Sequence, residues 1–189
     1  MTEGFFMRKY LTYAAAAVSA ACMLTSCKPE FTAKKPDISG LYSCTADVLW
    51  GETDAEITLK RLGNGDWDVA FSSPDTLNGL SVSFRDGDTH CEMNGISADM
   101  KKDDIPDGSL FELICGTLDE AALNTSSLQE AENELILKGR TDSGAYELVF
   151  EPETLTLCGI RIPDCELEAV IEDFAPITEA QPITETSAE

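Results

Sequence analysis

The sequence predicts a mainly β domain of the α+β class: a curved antiparallel sheet, or incomplete β-barrel, of about nine to ten strands with one covering helix. Three observations predict it. Apolar and polar residues alternate through most of Gly40 to Phe174, the period of half-buried strands. Asn-Gly and Asp-Gly dipeptides, which accept positive φ in tight hairpins, punctuate that alternation. A single stretch switches to helical spacing.

The first strand places Tyr42, Cys44, Ala46, Val48 and Trp50 on one face, with Ser43, Thr45 and Asp47 on the other. Ile57 and Leu59 point inward in the second, then Trp67, Val69 and Phe71, then Leu80, Val82 and Phe84. Turns are expected at Asn64-Gly65, Asn78-Gly79, Asp86-Gly87 and Asn94-Gly95, so strands adjacent in sequence are expected to pair. Between Pro106 and Leu123 the period changes. Ser109 and Glu112 form an S-x-x-E capping box, and Leu110, Leu113, Ile114, Leu118, Ala121 and Ala122 follow on one helical face. Strands resume at Leu135 to Lys138, Tyr146 to Phe150, Leu155 to Ile162 and Cys165 to Phe174. A sheet of that many strands curls, and its single apolar face needs a cover, which the helix provides.

The flanks have a different character. Met7-Arg8-Lys9-Tyr10 is a basic segment followed by an apolar run from Leu11 to Leu24 and then Thr25-Ser26-Cys27, the pattern of a secretory signal peptide. The run is shorter than the roughly 20 residues that span a bilayer. Met7 suits a start better than Met1, because Glu3 precedes the basic pair awkwardly; both remain open. The expected organisation is a signal peptide over 1–26, an anchor and tether over 27–39, the half-barrel domain over 40–175, and a disordered acidic tail over 176–189.

Charge excludes one class of partner. Lys+Arg 13 against Asp+Glu 35 gives a net charge of -22, which repels phosphate backbones, so no nucleic acid is expected. The lone histidine, His90, leaves little room for hydrolytic dyads; it adjoins Cys91, but neighbours on a strand point to opposite faces. No catalytic residue, metal site or cofactor is expected. Glu166, Glu168, Glu172 and Asp173 read as a solvated outer face, Asp86-Gly87-Asp88 as a hairpin, and Asp103-Asp104 with Asp107 as a helix entry. Beyond Cys22 and Cys27, five cysteines remain, an odd number that does not make a complete disulfide framework. They read as small buried hydrophobes, with one bridge, Cys158 to Cys165 across Pro163-Asp164, left open.

Leu24-Thr25-Ser26-Cys27 resembles the bacterial lipobox. The resemblance implies lipidation of Cys27, cleavage before it, and an extracytoplasmic protein held on the outer surface of the cell membrane by two or more acyl chains. Lys28, Lys34 and Lys35 would either lie beside the headgroups or serve simply as solvated linker charges. The strand order, the stretch Trp67-Asp68-Val69-Ala70-Phe71-Ser72-Ser73-Pro74 leading through Leu77-Asn78-Gly79-Leu80 to Asp86-Gly87, and the late helix resemble the LolA/LolB-type lipoprotein carriers. That family implies a curved sheet around an apolar cavity and binding of acyl chains or proteins without chemistry. In size and anchoring the chain is also similar to Firmicute germination lipoproteins that act through a cell-wall amidase.

Two functions follow as expectations. In the first, an acyl chain or other hydrophobic ligand sits between the concave face and the helix, touching Trp50, Trp67, Phe71, Val82, Phe84, Leu110, Ile114 and Tyr146. In the second, these residues fill a solid core and the protein is a scaffold that docks an envelope protein, such as a cell-wall amidase. The presence of a cavity separates the two.

Overall fold

A computed structural model describes residues 36–101, 104–106, 108–123, 128–131 and 134–178. The signal segment, Cys27, most of the tether and the tail beyond residue 178 lie outside them.

The strands form one curved, unclosed antiparallel sheet of eleven, arranged in the order β6-β5-β4-β3-β2-β1-β11-β10-β9-β8-β7. β1 (Tyr42–Trp50), β2 (Thr53–Arg61), β3 (Trp67–Ser73), β4 (Ser81–Arg85), β5 (Asp88–Met93) and β6 (Ile96–Lys101) form one continuous meander. The chain then crosses through the helix to β7 (Gln129–Ala131) and returns through β8 (Glu134–Thr141), β9 (Gly144–Phe150), β10 (Leu157–Ile162) and β11 (Leu167–Pro176). β11 pairs with β1, from Tyr42 opposite Pro176 to Trp50 opposite Leu167, so the two meanders join into one sheet whose free edges are β6 and β7.

Turn chemistry sets the register. Asp86-Gly87 and Asn94-Gly95 each have positive φ at both positions, the two-residue hairpin geometry the dipeptides predict. The Asn78-Gly79 pair instead closes a longer loop over Pro74 to Leu80, so Leu80 falls outside β4. Cys165 likewise leaves the final strand: Pro163–Cys165 forms a 3₁₀ turn, and Glu166 turns left-handed before β11 begins.

The helix departs most from the sequence reading. The capping box forms in half: the Glu112 N–H donates to Ser109 Oγ at 3.3 Å, but Glu112 Oε2 accepts from the Gly108 N–H at 2.6 Å, while the Ser109 N–H donates to Pro106 O at 3.1 Å. The next turn is a π-helical Glu112–Gly116, followed by α1 (Thr117–Leu123). The wider turn adds a residue without breaking the helix, so Leu113, Ile114 and Cys115 are buried in succession ahead of Thr117, Leu118 and Ala121. Regular 3.6-residue spacing would have turned Cys115 outward.

The core lies between this helix and the inner face of the sheet. The alternation holds on that face through Tyr42, Cys44, Ala46 and Val48, Ile57 and Leu59, Trp67, Val69 and Phe71, and Val82 and Phe84. The outer face is not uniformly wet: Ile136 and Val149, directly paired on β8 and β9, are buried on the side away from the main core. Gly159 lies against them, where an added Cβ would sit 3.5 Å from Val149 Cβ. No disulfide joins the five described cysteines. Cys158 Sγ donates to Val149 O at 3.4 Å and Cys165 Sγ to Ser143 O at 3.3 Å, so the two thiols serve separate carbonyls rather than a bridge.

Candidate ligand-binding site

The inner face has a sealed region and an open one. The seal centres on Arg61, which continues the inward alternation of Ile57 and Leu59 and is 3% exposed. Its guanidinium donates to Asp119 Oδ1 through Nε at 3.3 Å and Nη2 at 3.1 Å, and through Nη1 to the carbonyls of Ser39 and Gly40. Asp119 Oδ2 accepts from Trp67 Nε1 at 2.9 Å and from the Gly65 N–H at 3.1 Å. The carboxylate thereby ties α1 to β2, β3 and the loop between them, while Arg61 also lies 5.8 Å from the centre of the Trp67 ring. Tyr42 packs edge-on to Trp67 at 5.9 Å and against Phe174 at 4.7 Å. Its hydroxyl is buried with no hydrogen-bond partner among the described residues, and burial pushes the phenol above its ordinary pKa. Burial likewise pushes the Cys44 thiol up to about 12.

Seven of the eight residues assigned to an acyl-chain site on sequence grounds lie in this core. Trp67, Phe71, Val82, Phe84, Leu110, Ile114 and Tyr146 are all buried, whereas Trp50, at the far end of β1, is 38% exposed. Phe111, which the sequence reading did not single out, packs on Phe71 at 5.7 Å and Phe84 at 6.0 Å and fills the space below the start of the helix. Cys27 lies outside the described residues.

The open region is the lip formed by β5 and β6. Pairing places Cys91 opposite Val82 and Ala98, Thr89 opposite Phe84 and Met100, and Met93 opposite Ile96, so these residues extend the inner face beyond Val82 and Phe84. Only Thr89 is fully buried among them. Cys91, Met93 and Met100 are half-buried, Ala98 is exposed, and Ile96 is 77% exposed, the most open of the large hydrophobic residues described. The sequence signal for this lip was present as continued alternation across Asn94-Gly95, but nothing in the sequence indicates that the helix stops short of it.

Three clefts lie elsewhere on the surface. A cleft of about 230 Å³ lies between Pro36 to Ser39, the helix residues Ala121 and Ala122, and Leu137 and Phe150. An outer-face cleft of about 470 Å³ contains His90, whose Nδ1 lies 2.6 Å from Asp99 Oδ1. The serine across from it, Ser83, donates to Asp68 Oδ1 at 2.7 Å, so its hydroxyl is engaged by a carboxylate and not by the imidazole. A third, of about 410 Å³, brings Asp47, Asp54, Glu56 and Glu168 together beside the exposed Leu49 and Val170. Among the described residues no cluster of His, Cys, Asp and Glu is arranged to hold a metal ion, and no helix is long and apolar enough to cross a membrane.

No protein-family model matches the chain, and comparison with curated proteins finds no match. Solved structures resemble the chain to different degrees. An uncharacterized conserved protein from Thermus thermophilus aligns with 11% identity over 76% of this chain and 83% of its own, at a TM-score of 0.50. A LolA superfamily protein from Nitrosomonas europaea aligns at 10% identity over 76% and 88%, with a TM-score of 0.38. A DUF1329 family protein from Desulfovibrio piger aligns at 12% identity over 77% and 89%, with a TM-score of 0.37. The class the architecture defines is therefore an unclosed antiparallel half-barrel wrapped on a helix.

Proposed function

We propose that this chain is a non-enzymatic binding module of the cell envelope, held outside the membrane by lipidated Cys27, and that it takes an acyl chain or similar hydrophobic ligand on the β5–β6 lip. The observation that carries the reading is the half-buried to exposed inner face of Cys91, Met93, Ile96, Ala98 and Met100, which continues the buried face of Val82 and Phe84. Water-exposed apolar surface of this kind gains about 0.8 kcal/mol for each methylene it helps to bury. In this reading the assigned residues divide by depth. Phe71, Val82, Phe84 and Leu110, with Phe111, form the floor next to the lip; Trp67, Ile114 and Tyr146 hold the core behind it; Trp50 is at the opposite end of β1. The LolA/LolB-type resemblance agrees with an incomplete barrel around a helix, but here the ligand lies at the rim, because Phe111 occupies the space below the start of the helix.

Native mass spectrometry of the protein purified without detergent, followed by lipid extraction, tests this. A co-purifying lipid of fixed stoichiometry, displaced by a fluorescent fatty acid, is expected. A bare protein mass together with no binding of the fatty acid would overturn the reading. The filled core supports a second reading, a scaffold that docks an envelope enzyme such as a cell-wall amidase, and the bare-mass outcome would direct attention there.

A further inference from the structure

The two free edges of the sheet differ. β7 is three residues long, whereas β6 presents six residues from Ile96 to Lys101. Antiparallel pairs alternate between those that exchange both backbone hydrogen bonds and those that exchange none. In a two-residue hairpin such as Asn94-Gly95, the closing pair, Met93 and Ile96, is of the bonded kind. Cys91 with Ala98 and Thr89 with Met100 therefore also bond, and Ser97, Asp99 and Lys101 direct their backbone groups away from β5. The contact at Lys101 agrees, since its N–H points outward and donates to Asp104 Oδ2 at 3.1 Å. That bond caps the edge at its C-terminal end. Ser97 and Asp99 retain outward N–H and C=O groups with no partner among the described residues, a template for another strand.

We propose that β6 pairs antiparallel with β6 of a second copy of this chain, about a two-fold axis through Ala98. The register follows by elimination. Pairing must keep inner residues opposite inner residues, so the axis passes through a residue and not between two. Centred on Met100 or on Asp99, the ladder needs the Lys101 N–H that Asp104 already holds, and the second of these also sets two Asp99 carboxylates face to face. Centred on Ser97, it needs Gly95, which lies in the turn at φ 79°. Centred on Ala98, Ser97 and Asp99 each exchange both bonds with Asp99 and Ser97 of the second copy, so the outward groups of both residues are used. On the inner face Ile96 then meets Met100 of the second copy, which covers the most exposed large hydrophobic side chain among the described residues. This inference does not depend on the ligand reading. It joins two lips into one trough, but the pairing stands or falls on the edge alone.

Ala98 supplies a positive test. In this register it is a non-bonded pair with itself, with Cα atoms about 4.5 Å apart, within disulfide range. Met100 lies four positions from its own copy along the strands, roughly 13 Å away. In the full chain carrying Cys91→Ala, to prevent an internal bridge, Ala98→Cys is expected to give a covalent dimer on mild oxidation, and Met100→Cys is not. Sedimentation velocity of the unaltered chain should show a dimer that strengthens with ionic strength, because two chains of net charge -22 repel. Ser97→Pro removes an outward N–H and no bond to β5, and should weaken the dimer about tenfold or more. A monomer at all concentrations, equal cross-linking at residues 98 and 100, or a dimer unaffected by Ser97→Pro would each overturn the proposal.

Discussion

The inner face of this sheet is one alternating surface with two fates. Around Arg61, Trp67 and Tyr42 it is sealed beneath the helix by a carboxylate that reaches both flanking strands. Along β5 and β6 the same alternation continues through Cys91, Met93, Ile96 and Met100, but these side chains are half-buried to exposed. Composition does not separate the two regions. The difference is the length of the cover, and it shows that apolar alternation specifies which face points inward but not how much of that face is closed.

The largest effect should come from opening the seal. Asp119→Ala leaves a nearly buried guanidinium, the Trp67 N–H and the Gly65 N–H without their shared acceptor. Removing one partner of such a buried pair costs about 3–5 kcal/mol, read as a lower urea midpoint at neutral pH. Replacing Arg61 and Asp119 together by leucine should cost less than Asp119→Ala alone, because no charge is then left unpaired. If Asp119→Ala unfolds at the same midpoint as the unaltered protein, the sealed region is held by packing alone and the contrast with the lip disappears.

Much of this architecture was legible in the sequence. The meander, the hairpins at Asp86-Gly87 and Asn94-Gly95, the capping box at Ser109 and the inward set from Tyr42 to Phe84 follow from local periodicity and turn chemistry, which act over a few residues. What escaped was non-local. The pairing of β1 with β11 joins residues more than a hundred positions apart, and no pattern within either strand names its neighbour. The π-turn escaped because regular helical spacing does not mark it, yet it buries Cys115 out of phase with Leu110, Leu113 and Ile114. Arg61 could have been found, since continuing Ile57-Leu59 by one step puts it inside, yet its partner Asp119 is specified by the docking of the helix alone. Ile136 and Val149 break the rule of a wet outer face for a similar reason: each needs the other across the strands.

Thiol chemistry sharpens the comparison. Cys44 lies in the sealed region with its pKa pushed up to about 12 by burial, whereas Cys91 lies half-buried on the lip with its thiol raised by a milder degree of burial. Alkylation followed by peptide mass mapping should find Cys91 modified at least about tenfold faster than Cys44 in the folded protein, with the difference lost in denaturant. Linkage gives the sign of the pH effect. A thiol whose folded pKa stands above its unfolded value of 9.0 leaves stability intact below pH 9 and lowers it as pH rises from 9 toward about 12. Cys44→Ala should flatten that decline. Equal labelling of the two thiols would mean that the seal opens on the labelling timescale.

The smallest stability effect should come from the lip, and there the comparison separates function from folding. Ile96 is so exposed that Ile96→Ser removes little buried area, and its unfolding free energy should change by no more than about 0.5 kcal/mol. Its cost should fall on binding, where losing the most open apolar group of the lip lowers affinity for a fluorescent fatty acid by about fivefold to tenfold. Because Ile96 also faces Met100 of a second copy in the proposed pairing, weakened binding could arise through loss of the dimer. Ser97→Pro resolves this: it breaks the edge and leaves every inner side chain of the lip unchanged. If Ser97→Pro keeps fatty-acid affinity while Ile96→Ser loses it, the lip itself makes the contact. If both lose it equally, the site is built by two chains together, and the open region of one copy is completed by the other.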